Sequence, residues 1–432
     1  MTMRAIYAAI FGAVLIVPLS THASEVNLDT ERTLSEIIQE KRLEEAKERG
    51  DTSKRDATAE EEAIERQQEW EQGKKESSRA IVPQIGYSPE NGAKGGIKFT
   101  DRDIQGLTLD VSGLAAERGQ LKGHVAVVAP DLLWGWVILY MRGGYESDPH
   151  REFFGLGNND VGPDELSTTG YQQVNGRLAI GLRLSTRFVL LGSGDYNEVK
   201  IYRGTRLHSD PFTVDQFPNL AGIGGGKTSP LSAALIFDDR DDVTRPTQGW
   251  NVIAKYQRID KALDNDFEFN RYIFEASYLY PLLTRRQIIG LRAGGEYIDT
   301  KRRRTPFFEY SSLGGGDDLR GYFFDRFLGQ AKFIAGGEYR LKIFDFNFFD
   351  IWNVKIDGVG FGDAARVFLD REDLASEFGE PESTLPKTKD TVRFSYGGGV
   401  RFALGEAILA RVDVGFSDEE KGLVYLVFGH TF

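Results

Sequence analysis

Cysteine is missing from all 432 residues. That excludes a disulfide scaffold and thiolate metal sites, and it suits a chain that crosses an oxidising compartment. Positive charge is also in short supply: 53 Lys and Arg stand against 65 Asp and Glu, for a net charge of −12. Nucleic acid needs basic patches that release counterions, so it is not an expected partner. Beyond residue 20 no run of about 18 apolar residues occurs, so membrane crossing by helices is excluded. Histidine is sparse, and His124, His150, His208 and His430 are scattered singly. There is no Gly-x-Ser-x-Gly elbow. No catalytic residue, metal site or cofactor is expected, and the chain does not read as an enzyme.

What is present begins with an export signal over residues 1–23. Arg4 is followed by the apolar stretch "AIYAAIFGAVLIVPL" and by small residues at Thr21 and Ala23, which places cleavage after Ala23. Residues 24–78 are densely charged and rich in helix formers. Leu34, Ile37 and Ile38 give one weak apolar face, and Gly50 with the Asp-Thr-Ser after it breaks the run. This reads as a short periplasmic segment, either a solvated helix with a second marginal one or a mobile charged linker.

From residue 79 to residue 432 the pattern is that of strands. Val392, Phe394, Tyr396, Val400 and Phe402 share one face, opposite Arg393, Ser395, Gly397 and Arg401. Phe333, Ala335, Tyr339 and Leu341 oppose Lys332, Glu338 and Arg340, and Arg411 and Asp413 alternate with Ala410, Val412 and Val414. A period of two marks strands with unlike faces. A soluble sandwich alternates too. Here the strands are about 9–11 residues or longer, the polar faces carry charges, and Tyr272, Tyr278 and Tyr280 lie near strand ends as an aromatic girdle would. The expected fold is all-β: about sixteen antiparallel strands closed into a transmembrane barrel, preceded by the short charged segment. Outer-membrane lipids are its expected surroundings, which places it in the bacterial outer membrane. The end, "LVYLVFGHTF", puts Val424, Leu426, Phe428 and Phe432 on one face, resembling a C-terminal targeting strand of outer-membrane proteins; His430 departs from that pattern.

"PFFEYSSLGGGDDLRGY" (306–322) carries the most specific resemblance. It is similar to the sixth loop of the BamA/TamA outer-membrane assembly superfamily, also called the bacterial surface antigen barrel family. The resemblance implies that Leu319, Arg320, Gly321 and Tyr322 form a tip folded into the lumen. It implies as partner a Phe-x-Asp-x-Gly motif on the thirteenth strand. Here "GFGDAARVF" supplies Phe361 and Asp363, with Ala365 in place of the glycine. An arginine fork on a carboxylate offsets part of the cost of ordering such a loop. "FDDRDDVTRPTQGW" (237–250) resembles the family's turn between strands eight and nine, through Asp238, Arg240, Asp241, Pro246 and Gly249. Its four aspartates lack EF-hand spacing, so a periplasmic turn is expected rather than a calcium loop. "EFFGLGNND" (152–160) matches a less specific loop after strand five. "AGIGGGKT" (221–228) nearly spells a phosphate-binding loop, but Ala221 replaces the first glycine and no parallel strand precedes it. It reads as a loop entering strand eight.

What the resemblance implies is insertion or translocation of proteins through a lateral seam, with client proteins and a periplasmic partner. Assembly members of the family carry periplasmic POTRA domains, and residues 24–78 are too short and strandless for one. The alternative is a passive channel or structural barrel, plugged by the N-terminal helix.

Overall fold

The computed structural model describes residues 29–48, 79–158, 166–206, 210–242, 245–284, 286–300, 305–348, 352–369, 391–404 and 408–428. The strands, in chain order, begin with β1 (Arg79–Ser88), β2 (Gly92–Ile104), β3 (Leu107–Ala116), β4 (Leu121–Leu132) and β5 (Val137–Phe153). Next come β6 (Ser167–Arg183), β7 (Phe188–Tyr202), β8 (Gly226–Thr228), β9 (Leu231–Asp238), β10 (Gly249–Ile259), β11 (Phe269–Pro281) and β12 (Gln287–Thr300). The last are β13 (Ser311–Leu313), β14 (Phe327–Gly329), β15 (Ala331–Phe348), β16 (Trp352–Phe368), β17 (Arg393–Leu404), β18 (Ile408–Phe416) and β19 (Leu423–Phe428). Two helices accompany them, α1 (Asp29–Glu48) and the single turn α2 (Thr213–Gln216).

The sheet closes into a sixteen-stranded antiparallel barrel. β8 and β9 act together as its eighth strand, since both pair with β7. β13 and β14 form a separate ribbon. Closure is uneven. β1 meets β2 through ten register pairs, Arg79↔Asp101 to Ser88↔Gly92. Among the described residues it meets β19 through one, Tyr87↔Leu426. β1 also carries Pro83, a residue tolerated mainly on sheet edges because it cannot donate to a ladder.

The alternation sorts the chain inside out relative to a soluble protein. Ile85, Ile97, Phe274, Leu291, Phe333, Phe394 and Tyr396 are exposed, while Lys98, Lys255, Arg271, Glu296, Arg340 and Arg411 are buried. Lipid outside and polar groups within is the arrangement of an outer-membrane barrel. Aromatic side chains form two levels on the outer wall. Trp250 stacks on Tyr278 at 4.3 Å, and Tyr256, Tyr272 and Tyr297 follow one another at 5.2 and 6.2 Å. Six residues of strand between the levels span ~20 Å. The turns at the Trp250 end are short and the connections at the other end are longer, which makes the Trp250 end periplasmic.

The lumen is filled. At its periplasmic end Leu34, Ile37 and Ile38 of α1 pack on Val128, Ile138, Ile236 and Ile253. At the other end Phe153, Leu156, Phe307, Phe308 and Tyr310 gather into a second cluster beneath the loops. The expectation of a solvated N-terminal helix is therefore corrected for Asp29–Glu48: Leu34 and Glu31 are wholly buried. The physical reason is that the surrounding wall is itself charged, so a helix needs no broad apolar stripe to dock there. Gly50 and the remainder of 49–78, the signal segment 1–23, and His430 and Phe432 fall outside the described residues.

Candidate functional site

The connection between β12 and β15 turns back into the lumen and ends in the tip Leu319–Tyr322. The tip can turn because residue 321 is glycine. Its φ is +103°, and a Cβ there would stand 2.9 Å from the backbone of Phe416. An L-residue would meet both a strained conformation and a clash. The Gly321 amide donates to the Tyr425 hydroxyl at 3.3 Å, and Ser417 Oγ donates to the Gly321 carbonyl at 2.7 Å. Tyr425 in turn donates to the Tyr322 carbonyl at 2.8 Å. The tip is thus tied to β19 and to the turn before it.

Arg320 is fully buried at the centre. Its Nε and Nη2 donate to Asp363 at 2.9 and 3.1 Å, and Nη1 donates to Glu338 at 3.0 Å. Asp413 lies 3.7 Å away, and the guanidinium sits 3.5 Å from the centroid of the Phe361 ring. A fork on one carboxylate and a flat contact on an aromatic face use the two features that distinguish arginine from lysine. Glu338 also accepts from Arg340 at 2.7 Å and from Arg401 at 3.1 Å. Arg401 continues to Asp413, and Arg292 reaches Asp363 at 3.1 Å. Arg411 pairs with Asp317 of the loop. The result is an alternating network of arginines and carboxylates across β12, β15, β16, β17 and β18.

Leu319, Tyr322, Phe327 and Leu313 pack with Ile334, Ala365 and Val367 beside this network. The alanine that stands where the family motif has glycine is wholly buried in that contact. Tyr322 Oη bonds Asp418 in the turn before β19. At the side of the tip Asp318 pairs with Lys332 at 2.9 Å. Burial alone would raise the Asp318 carboxyl, but Lys332, Arg292 and, last, Arg32 of α1 outweigh it and hold it below its ordinary value.

The turn between β9 and β10 is built from its own aspartates. Asp238 accepts from the Arg240 amide at 3.0 Å and from its Nη2 at 2.7 Å. Asp241 accepts from the amides of Thr247 and Gln248 at 2.8 and 3.1 Å. Pro246 is buried. Gly249 has φ +112°, and a Cβ there would meet Arg240 Cα at 2.7 Å. The same turn receives α1. Ser35 Oγ bonds Asp238, Gln39 Nε2 donates to the Arg240 carbonyl at 2.9 Å, and Arg42 Nη1 donates to the Asp238 carbonyl at 2.8 Å. Deeper in the lumen Glu31 pairs with Lys255 at 2.9 Å, beside Arg177, whose Nη1 donates to Thr30 at 2.8 Å. Arg32 pairs with Glu275 at 3.1 Å, and Lys41 pairs with Asp131 near the periplasmic rim.

Of the residues singled out in the sequence, Arg320, Gly321, Tyr322, Phe361 and Asp363 meet at one point, with Leu319 in the apolar contact beside it. The turn residues lie apart from them, under α1. Val424 and Leu426 lie on β19, and Phe428 pairs with Ala410. "GIGGGKT" leads into β8, whose Gly226 and Thr228 pair with Val199 and Asn197 of β7. Sequence reasoning missed Glu338 and Asp413 as partners of Arg320, and Arg292 and Arg401 as the cations that share its carboxylates. The alternation had placed several of them on the polar face, yet only the register brings them together.

A family profile described as the Omp85 superfamily domain matches residues 116–432. Among solved structures, BamA from Haemophilus ducreyi lacking POTRA domains 1–3 superposes with a TM-score of 0.61 at 15% identity, over 82% of this chain and 71% of that one. CdiB from Escherichia coli superposes at 0.57 and 12% identity, over 81% of this chain and 62% of that one. CdiB from Acinetobacter baumannii gives 0.51 and 13%, over 81% and 59%. The chain thus spans less than two thirds of either CdiB. Identities this low speak for the fold alone. No curated protein matches the sequence.

Proposed function

The chain belongs to the Omp85 superfamily and is a β-barrel of the bacterial outer membrane; from that premise we propose that it inserts or translocates polypeptides at that membrane through the seam between β1 and β19. The observation that carries the reading is the contrast at β1, which among the described residues has ten register pairs on one side and one on the other. Backbone groups left unpaired against lipid are costly, so an edge of this kind is kept only where it is used. The clasp braces the last strands while β1 stays loosely joined. Client proteins supply strands to the seam, and a periplasmic partner delivers them. Depleting the protein and quantifying other outer-membrane proteins tests this directly. A fall in the folded level of a subset is expected, and unchanged levels across the set reject it.

α1 favours a second reading, a lumenal channel held shut by its own helix. Its grip on Asp238, Arg240 and Lys255 supports a resting closed state. In planar bilayers, deletion of residues 24–48 then produces a large steady conductance that the intact chain lacks. Conductance unaltered by the deletion rejects the plug.

A further inference from the structure

The seam also holds a cavity whose two sides differ in chemistry. It lies beside the described pair Tyr87↔Leu426, between β1, β19 and the loop residues 314–317, and it encloses ≈ 670 Å³ including space open to solvent. That is within the range of small-molecule sites. On the outer side it is lined by Ile85, Tyr87 and Leu426, which continue the lipid-facing belt; Ile85 and Tyr87 are exposed. On the lumenal side it is lined by Gln84, Glu90 and Lys94, all buried. Gln84 Oε1 has no hydrogen-bond partner. A buried acceptor left without a donor is costly, which points to an occupant that donates. Glu90, which also accepts from the Phe324 amide at 2.8 Å, lies beside Lys94, and Asp317, which lines the same wall, is paired with Arg411.

We propose that this cavity binds a zwitterionic phospholipid, with a phosphoethanolamine headgroup turned into the lumenal side and its acyl chains left among Ile85, Tyr87 and Leu426. The phosphate meets Lys94. The ammonium donates to Glu90 and to Gln84 Oε1, filling the vacant acceptor. The headgroup dipole matches the charge pair and needs no net charge in the wall. A glycerol headgroup would satisfy Lys94 and could donate a hydroxyl to Gln84, yet it would bring no cation to Glu90. The lipid is the committed occupant because the outer mouth is continuous with the lipid belt. The site does not depend on polypeptide transport, so it stands or falls separately from the function proposed above.

The test is native mass spectrometry of the full-length barrel released from mixed micelles holding either phosphatidylethanolamine or phosphatidylglycerol. A single retained phosphatidylethanolamine is expected, in about tenfold excess over phosphatidylglycerol. Glu90→Gln abolishes that preference, Lys94→Met weakens retention of both lipids, and Lys94→Arg keeps most of it. Phe274→Ala, on the outer wall away from the seam, leaves it intact. Heat-dependent gel mobility confirms that each variant is folded. Equal retention of the two lipids by the wild-type barrel overturns the proposal without recourse to any variant. So does a preference that survives Glu90→Gln.

Discussion

Arg320 in the loop clasp contacts Asp363, Glu338 and the Phe361 ring with no exposure to solvent, and Glu338 is shared by three arginines. α1, the other segment in the lumen, has its buried ion pairs gathered at Glu31, which meets Lys255 at 2.9 Å and Arg177 at 3.9 Å. Its outer pairs are partly wet: the side chains of Arg32 and Glu275 are 37% and 38% exposed. The clasp is cross-braced, because removing any one member leaves other charges buried without compensation. α1 is held in series along one line, and water entering behind a departing helix would rehydrate the groups it leaves. The same kinds of contact thus build a fixed element in one place and a removable one in the other.

The largest test of that difference is Arg320→Ala. Breaking one side of a shielded ion network costs about 3–5 kcal/mol, so folded yield and the temperature of the heat-dependent gel shift should both fall. Arg320→Lys restores little, since an ammonium cannot fork onto Asp363. Gly321→Val comes next, at about 1–3 kcal/mol from backbone strain, read by urea unfolding in vesicles. Ile38→Asp then separates the two regions: it should free α1 and raise single-channel conductance while barrel unfolding changes by about 1 kcal/mol or less.

Acid gives a smaller effect. The Asp318 carboxyl is held below its ordinary value, chiefly by Lys332 against the opposing effect of burial. A lowered acid contributes stability that is present at neutral pH and is lost as pH falls through the folded value. The clasp should therefore loosen below about pH 4, seen as faster proteolysis of the loop tip, and Asp318→Asn should remove that dependence. Lys41→Ala is the smallest. Its partner Asp131 is 53% exposed, so melting should move by no more than about 0.5 kcal/mol.

Much of the barrel was legible because a period of two fixes which face each residue serves. Glu338, Arg340, Arg401 and Asp413 could be set on polar faces from spacing alone, whereas "LRGY", Phe361 and Asp363 were marked by the family resemblance. Spacing does not give the stagger between strands. Nothing in the sequence brings Arg401 to Glu338 and Asp413, because those contacts depend on register across β15, β16, β17 and β18. Docking of α1 was hidden for a different reason. Leu34, Ile37 and Ile38 were visible as a weak stripe, but amphipathicity is judged against an apolar core. Here the wall offers Lys255, Asp238 and Glu275, so Glu31, Ser35 and Arg32 are as much a part of the docking face as the leucine. The segment 238–249 joins β9 to β10, and its use as the seat of Ser35 and Gln39 needed the helix to be seen against it.

Among the described residues β1 and β19 share one pair, Tyr87 with Leu426, and this has a mechanical consequence. A cylinder under outward pressure fails along the line with the least circumferential strength, and here that line is set in advance. Pulling laterally on β1 with an optical or atomic-force probe should split the wall there at low load and leave the remaining fifteen joints whole, like a hoop with one stitched end.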